Sequence, residues 1–241
     1  MLILALESTT EACSVALLND KKPKNTQIVE QFKIAPRQHT RLLLNMVDSL
    51  LHQQGVSKND LTAIAFCRGP GAFTGLRITV GVAQGLAFGL NLPLIPVSSL
   101  AALAQGWYRY NHHTAFLSCL DARKKEVFWG IYRIEEGYAR PVGEEQVSPL
   151  QRVMDSVKSL PQSRAPLQVA GTATHLIKEL SGSFKEPEIE LGLTFVDSLT
   201  DGLNYPHAYD VAFLAAEEYR LGNTVRAEQA LPVYLRNNVT D

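Results

Sequence analysis

The chain has few cysteines and none of the spacings that bind zinc. Cys13, Cys67 and Cys119 are the three cysteines in 241 residues, and they form no C-x-x-C pair. An odd number at such wide spacing argues against a disulfide framework or a structural metal site. Each of them stands in an apolar run, so we expect buried, reduced thiols.

Positive charge is also scarce. The formal net charge is −1 and the isoelectric point is about 6.6, which argues against a protein that holds nucleic acid through its own basic surface. The nearest approach to a basic run, Lys21-Lys22-Pro23-Lys24, is typical of a hairpin tip. The six histidines are scattered, and we expect them on the surface.

No apolar run reaches the roughly 18–20 residues of a membrane span. The apolar start, Met1 to Leu6, is short and lacks a basic flank, which predicts a first strand rather than a signal peptide. We therefore expect a cytoplasmic protein with no membrane segment.

A glycine-rich segment follows the run Ile64-Ala65-Phe66-Cys67, which is typical of a buried strand. Gly69-Pro70-Gly71 forces a sharp turn, and Thr74 is placed to cap a helix from Gly75 to about Leu90. A helix start of this kind suits an anion, but a tight turn without a ligand explains the same residues, and both interpretations stay open. The spacing matches neither a Walker A loop nor a dinucleotide fingerprint.

The helix after this loop contains an unusual row of glycines. Gly81, Gly85 and Gly89 recur every four residues, and each costs about 1 kcal/mol of helix propensity relative to alanine. Such a row lies on one side of a helix and lets another backbone come close. We expect the opposite side to carry Ile78, Val82, Leu86 and Leu90. The neighbour at the glycines is either another helix of this chain or a partner, and the sequence leaves both open.

A second helix is predicted from Pro36 to Gln54, with Gly55 as its C-terminal cap. It is more apolar than a surface helix requires, so part of it should meet the sheet and part another helix. The residues concerned are Leu42, Leu43, Leu44, Met46, Val47, Leu50 and Leu51.

The order of elements predicts the fold class. Three strands joined by short polar turns, followed by alternating helices and strands, are typical of a ribonuclease-H-like arrangement. A second run of the same kind lies between Thr114 and Leu180, which indicates an internal structural repeat. We predict an α/β protein with two lobes, each a mixed sheet with helices. The first covers 1–103, with part of 207–241 packed on it, and the second covers 104–206.

Five segments resemble one known family: LALESTTEACSVAL at 4–17, GPGAFTGLRITVGVAQGLA at 69–87, PVSSLAALA at 96–104, DARKKEVFWGIY at 121–132 and PVYLR at 232–236. The resemblance is to the TsaB (YeaZ) branch of the TsaD family and spans nearly the whole chain. It implies two lobes of the actin, heat-shock chaperone and sugar-kinase type. It also implies a non-catalytic partner of TsaD, required when TsaD transfers a threonylcarbamoyl group to the adenosine next to the anticodon of tRNA.

The same resemblance implies the partners and the surface that binds them. We expect a heterodimer with TsaD, the ATPase TsaE in a ternary complex, a homodimer when the chain is alone, and tRNA contacts only through partners. Family members pair through helices of the first lobe. The predicted interface residues are His39, Leu42, Leu43, Met46, Val47, Leu50, Ile78, Gly81, Val82, Gly85 and Gly89. A weakly bound phosphate or nucleotide would contact Ser8, Thr9, Gly69, Gly71 and Thr74.

Two departures from the enzymes of the family argue against catalysis, and no catalytic residue, metal ion or tightly bound cofactor is expected. An H-x-x-x-H metal pair of TsaD falls at Ser99 and Leu103 here, and a hydroxyl and an isobutyl group cannot replace two imidazoles. Glu7 stands where actin-like families have an aspartate, and no glycine follows it.

One alternative function is kept: a stand-alone ATP-dependent enzyme of the actin fold, or a metal-dependent peptidase. Asp121 and Arg123 would be its candidate catalytic pair, because they stand at a strand end. The same pair is also typical of residues that hold a turn together.

Overall fold

The computed structural model describes residues 1–159, 166–183, 192–196 and 201–236. The chain divides into two compact units. The first unit is Met1–Ala102 with Pro206–Val233, and the second is Leu103–Tyr205 with Tyr234–Asp241. Each unit is described by itself below.

Apolar runs of five to ten residues form most of the strands. The described residues contain β1 (Leu2–Glu7), β2 (Ala12–Asn19), β3 (Ile28–Ile34), β4 (Ala63–Gly69), β5 (Leu94–Ser98), β6 (Ala115–Asp121), β7 (Glu126–Glu135), β8 (Tyr138–Pro141), β9 (Gln146–Pro149), β10 (Leu167–Ala170) and β11 (Leu193–Thr194).

The helices alternate with the later strands of each run. The described residues contain α1 (His39–Gln54), α2 (Phe73–Leu90), α3 (Ser99–Asn111), α4 (Leu150–Lys158), α5 (Thr174–Ser183) and α6 (Ala208–Arg220). Gly55 caps α1 in the left-handed conformation, with φ of 63°. Ser98 Oγ accepts hydrogen bonds from the N–H groups of Leu100 and Ala101 at 3.1 and 3.3 Å and so caps the start of α3.

The two sheets have the same strand arrangement. In the first the order is β3-β2-β1-β4-β5, with an antiparallel meander from β1 to β3 and parallel pairing of β1, β4 and β5. In the second the order is β11-β10-β6-β7-β8, with β6, β7 and β8 antiparallel and β6, β10 and β11 parallel, while β9 pairs with β7. The predicted α/β class and ribonuclease-H-like order are therefore confirmed.

The first sheet is covered on both faces. Leu4 and Leu6 on β1 belong to a core shared with α1 and α2, while α6 packs on β1 and β2. Ser14 Oγ on β2 accepts a hydrogen bond from the Ala208 N–H at the start of α6, at 2.8 Å. Burial on both faces explains why β1 and β2 are almost continuously apolar rather than alternating.

The core of the second unit lies between its sheet and the helices α4 and α5. Val153, Met154 and Ile177 from these helices meet Leu117 and Trp129 from the sheet. Trp129 is buried, and its Nε1 donates a hydrogen bond to Ser148 Oγ at 2.7 Å. This bond ties β7 to β9.

The structure adds elements that were not predicted and corrects one expectation about histidines. The short strands β9 and β11 were missed. The sequence from Phe184 to Leu203 predicts a loop-rich segment, of which residues 184–191 and 197–200 lie outside the described part of the chain. His39 is buried, and the His207 ring stacks on Phe32 and lies 2.9 Å from Glu30 Oε2, so these two histidines are not surface residues.

By length and composition alone, α2 meets the minimum for a membrane span, with 18 residues and a mean hydropathy of 1.2. This differs from the expectation that no segment would reach that limit. A single helix of this kind is weak grounds for a membrane segment, because core helices meet the same criterion. Leu76, Val80, Ala83 and Ala87 of α2 lie in the core of the first unit.

Candidate functional site

The glycine loop between β4 and α2 is closed by the chain's own backbone. The N-cap of α2 is Ala72, and no side chain caps the helix. Thr74 lies exposed in the first turn, so the predicted Thr74 cap is wrong. The Ala72 N–H instead donates to the Thr9 carbonyl at 2.6 Å. The Ala72 N–H, which an anion at this helix start would need as a donor, is therefore already bonded to the Thr9 carbonyl.

Two glycines of this loop touch the turn between β1 and β2. A Cβ atom on Gly71 would lie 2.3 Å from the Thr9 carbonyl oxygen, and one on Gly75 would lie 2.0 Å from the Ser8 carbonyl oxygen. Only glycine allows such a close approach of two backbones. The packing favours the tight-turn interpretation of the loop, and phosphate binding at Gly69, Gly71 and Thr74 stays a prediction.

The side chains of Ser8 and Thr9 are also engaged. Both residues are fully buried. Ser8 Oγ donates to the Gly75 carbonyl at 3.1 Å and shares a hydrogen bond of 2.5 Å with Thr79 Oγ1. These bonds join the β1–β2 turn to the first two turns of α2.

Glu7 is the centre of this buried polar cluster. Its Oε1 accepts hydrogen bonds from the Thr9 N–H and hydroxyl, at 2.7 and 2.6 Å. Its Oε2 is buried without a hydrogen-bond partner of normal geometry, although the Cys67 thiol, a weak donor, is near enough to influence the carboxyl group. Burial raises the pKa of Glu7 to about 7, and the contacts with Cys67 and Thr9 and the charge of His207 oppose the rise. The sequence placed Glu7 at this turn but gave no sign of its burial.

The positions that correspond to the metal pair of TsaD carry no metal ligands. Ser99 is fully buried at the start of α3, and its Oγ lies 3.0 Å from Thr9 Oγ1. Leu103 is 1% exposed. Across the described ranges, no group of three or more His, Cys, Asp or Glu side chains is arranged to hold a metal ion. The donor set at Ser99 and Leu103 does not fit a resident metal.

The three glycines of the row on α2 face away from the core. Gly81, Gly85 and Gly89 are exposed, and apart from the adjoining residues and backbone of α2 itself, no described atom lies within 4 Å of a Cβ built on any of them. Within the described ranges no other helix packs against them, so the expectation of a neighbouring helix from this chain is not met there. Their opposite side was also misassigned, because the deeply buried row is Leu76, Val80, Ala83 and Ala87, while Ile78, Val82, Leu86 and Leu90 are partly buried beside it.

Two aromatic residues share the outer surface of α2 and were not predicted. Phe88 is 82% exposed and stands three residues after Gly85, which places it on the same side of the helix. Phe73 is 41% exposed, and the Arg77 guanidinium lies 3.8 Å from the centre of its ring. The spacing of three residues between Gly85 and Phe88 would have predicted that Phe88 lies on this surface.

The interface residues predicted on α1 separate into two groups. His39, Leu43, Val47 and Leu50 are buried, and the His39 ring nitrogen Nε2 lies 3.2 Å from the Ala12 carbonyl. Their side chains support the helix from within, which corrects their assignment as contact residues.

Leu42 and Met46 are partly buried. They lie on the side of α1 that carries Ser49 and Gln53, the two residues that hydrogen-bond to Gln31 of β3. That side faces β3. Leu44, which is 46% exposed, is the large apolar side chain that α1 leaves most open to solvent.

Asp121 and Arg123 hold the turn between β6 and β7. The Arg123 N–H donates to Asp121 Oδ1 at 2.8 Å, and the Glu126 N–H donates to the Arg123 carbonyl at 3.0 Å. The turn-holding interpretation of this pair is therefore confirmed.

The fold and the site together define the class: an α/β protein built from two ribonuclease-H-like units. Each unit carries a mixed sheet of ribonuclease-H-like order, and the glycine loop of the first unit is packed against its own β1–β2 turn. The family model described as TsaD, tRNA N6-adenosine threonylcarbamoyltransferase, matches residues 27–241.

Particular relatives narrow the assignment. The tRNA threonylcarbamoyladenosine biosynthesis protein TsaB of Escherichia coli is 40% identical, covering 99% of this chain and 96% of the relative. That of Haemophilus influenzae is 35% identical over 99% of this chain and 94% of its own. The solved structure of YeaZ from Pseudomonas aeruginosa is 40% identical with a TM-score of 0.82, covering 97% of this chain and 99% of that one. The chain belongs to the TsaB (YeaZ) family.

Proposed function

We propose that this protein is a non-catalytic subunit that binds the transferase TsaD and is required for threonylcarbamoyl transfer to tRNA. The relatives are named for threonylcarbamoyladenosine biosynthesis, and the matching family model is named for the transferase itself. The observation that carries the proposal is the exposed row of Gly81, Gly85 and Gly89, which no described residue of this chain covers.

The glycine row is costly to the isolated chain. Three glycines inside one helix lose about 3 kcal/mol of helix propensity relative to alanine, and no contact from the part of the chain that the structure describes offsets the loss. A partner helix that packs against the row would offset it, because absent side chains let two helix backbones approach closely. The chain is related to TsaD by sequence, so TsaD is the partner of matching architecture.

Apolar side chains surround the row. Ile78 and Val82 are partly buried on one flank of α2, and Phe88 stands exposed beside the glycines. Apolar residues that stay exposed or partly exposed on one helix surface are typical of an interface. The proposed contact surface is therefore the outer surface of α2, consisting of Arg77, Gly81, Gly85, Phe88 and Gly89.

An enzymatic role has weaker support from the same residues. Carbonyl groups of the β1–β2 turn occupy the space beside Gly71 and Gly75, where a ligand would have to lie. Ser99 and Leu103 offer no imidazole to a metal. Titration of the isolated protein with ATP and Mg²⁺ tests this alternative, and saturable binding with turnover would favour it. We propose that no nucleotide is needed by this chain for its own role.

The substitution Gly85→Leu tests the proposed contact directly. The site has open space around it, and leucine is the better helix former, so the monomer should keep its fold and melt at an equal or higher temperature. Binding to TsaD, measured by calorimetric titration, should weaken at least about 100-fold, because a leucine would separate the two helices.

Gln151→Leu is the matched control, since Gln151 is an exposed residue on α4 in the other unit. It should leave the affinity for TsaD unchanged. If Gly85→Leu bound TsaD as tightly as the parent chain while remaining folded, α2 would not be the contact surface.

Two further partners belong to the proposal. We propose that TsaE joins the pair in a ternary complex. In the absence of TsaD, the same surface of α2 is available to a second copy, so the chain should form a homodimer that Gly85→Leu disrupts. Sedimentation of both proteins over a range of concentrations measures this.

A further inference from the structure

The turn between β6 and β7 combines backbone strain with positive charge. Arg123, Lys124 and Lys125 have φ values of 63°, 52° and 61°, so three successive residues with side chains adopt the left-handed conformation. All three are exposed. Glycine or asparagine takes up this conformation at a lower energetic cost, so the turn itself does not require basic residues.

Hydrogen bonds and an ion pair hold the base of the turn. Asp121 Oδ1 accepts the Arg123 N–H, and the Asp121 N–H donates to Thr172 Oγ1 at 3.1 Å. Arg236 donates to the Ala122 carbonyl at 3.2 Å and forms an ion pair with Glu126. These contacts anchor the base of the turn, which lowers the entropy lost when a ligand binds.

The geometry of the tip fits a curved surface that is negative on more than one side. Residues in the left-handed helical conformation are displaced by about 100° from one to the next, so the three side chains spread to different sides of the tip. A flat acidic protein surface would meet one or two of them. A groove of folded RNA, with phosphates along both edges, can meet all three.

We propose that the tip Arg123-Lys124-Lys125 contacts the phosphate backbone of the tRNA when this chain is in its complex with TsaD. This inference rests on the proposed function, and it replaces the expectation that tRNA is contacted only through partners. The net charge of −1 is consistent with it, because three local cations add affinity inside a complex but give the isolated chain little affinity of its own.

The test compares tRNA binding by the complete complex with TsaD. The variant is Lys124→Asn with Lys125→Asn, because asparagine is neutral and tolerates the left-handed conformation. The control is Lys21→Asn with Lys24→Asn, which removes two exposed lysines from the β2–β3 connection of the first unit. Both variants change the net charge equally. A third variant, Lys124→Arg with Lys125→Arg, keeps the charge.

The asparagine variant should bind an unmodified tRNA transcript about five-fold or more weakly than the parent complex does. The slope of the logarithm of its binding constant against the logarithm of salt concentration should be shallower by about 1 to 2. The control and the arginine variant should bind as the parent complex does.

Equal affinity and an equal salt slope in all complexes would overturn this inference but leave the proposed function standing. Loss of TsaD binding in the asparagine variant would also overturn it, because the tip would then be a protein contact. Failure of the parent chain to bind TsaD would overturn the proposed function and this inference with it.

Discussion

Thr9 donates both its backbone N–H and its hydroxyl to one carboxyl oxygen of Glu7, at 2.7 and 2.6 Å, inside the first unit. The other carboxyl oxygen is buried without a normal hydrogen-bond partner. The residue that an actin-like enzyme would use toward a ligand is thus directed into the chain's own turn, and this arrangement has consequences for stability.

Glu7 should make the stability of the protein depend on pH. Burial raises the pKa of Glu7 from 4.5, the ordinary value of a glutamate, to about 7 in the folded state, so the folded state holds the proton more tightly. The contribution of Glu7 to the free energy of unfolding is therefore full below about pH 4.5, falls as the pH rises to 7, and is constant above it. The total loss is on the order of 3 kcal/mol.

The variant Glu7→Gln isolates this effect. The amide keeps an acceptor for Thr9 but does not titrate. The difference in unfolding free energy between the parent and Glu7→Gln, measured by urea denaturation from pH 4.5 to 8, should shift in favour of the variant as the pH rises. Glu144→Gln, which removes an exposed carboxyl group, is the control and should show no such trend. A pH-independent difference for Glu7→Gln would mean that Glu7 is not buried as described.

Two glycines on the same helix should respond oppositely to alanine. In Gly75→Ala the new methyl group would lie 2.0 Å from the Ser8 carbonyl oxygen, so the protein should lose at least about 2 kcal/mol of stability. In Gly81→Ala the methyl group meets nothing within 4 Å, so the protein should gain up to about 1 kcal/mol. Thermal denaturation of the two variants measures this, and changes of the same sign would contradict the assignment of the two positions.

The sequence could not separate these two kinds of glycine. Gly71 and Gly75 touch residues Ser8 and Thr9, more than 60 positions away, and such contacts leave no local pattern. The row Gly81, Gly85, Gly89 was visible from its spacing. Whether it faced this chain or solvent depended on where α1 and the sheet lie.

The fold class was predictable because apolar runs and polar turns are local signals. The meander β1–β3, the helices and the repeat in the second unit all follow from them. The strand β9 was missed because Gln146–Pro149 carries a single aliphatic side chain and ends in proline, and β11 because two residues give no pattern. The burial of Glu7 and of His39 was missed because each depends on distant neighbours.

The three cysteines should be unreactive in the folded protein. Burial raises the pKa of Cys13 to about 12 and of Cys119 to about 12, and it raises the pKa of Cys67 as well. The thiolate is the reactive form, so a colourless disulfide reagent at pH 8 should react slowly with the native protein and rapidly with three thiols after unfolding. The variant Asn59→Cys, at an exposed position, shows the rate of an accessible thiol. Fast reaction of any native cysteine would contradict its burial.

Gln84 should hold the segment after α6 against α2. Its Nε2 donates to the carbonyl groups of Ala227 and Ala230, at 3.1 and 2.9 Å. Replacing it by methionine keeps the volume and removes both bonds, which should cost about 1–2 kcal/mol and speed amide hydrogen exchange over residues 225–233. Gln151→Met, on the surface of α4, is the control. Unchanged exchange in the Gln84→Met variant would show that other contacts hold this segment.

The central claim is that this chain is a required partner without catalytic activity of its own. Threonylcarbamoyl transfer to an unmodified tRNA should be measured with TsaD, TsaE and the threonylcarbamoyl donor, with and without this chain, and with this chain in place of TsaD. We predict product only when TsaD and this chain are both present, and little product with Gly85→Leu. Product formed by this chain without TsaD, or an equal yield when this chain is left out, would contradict the account.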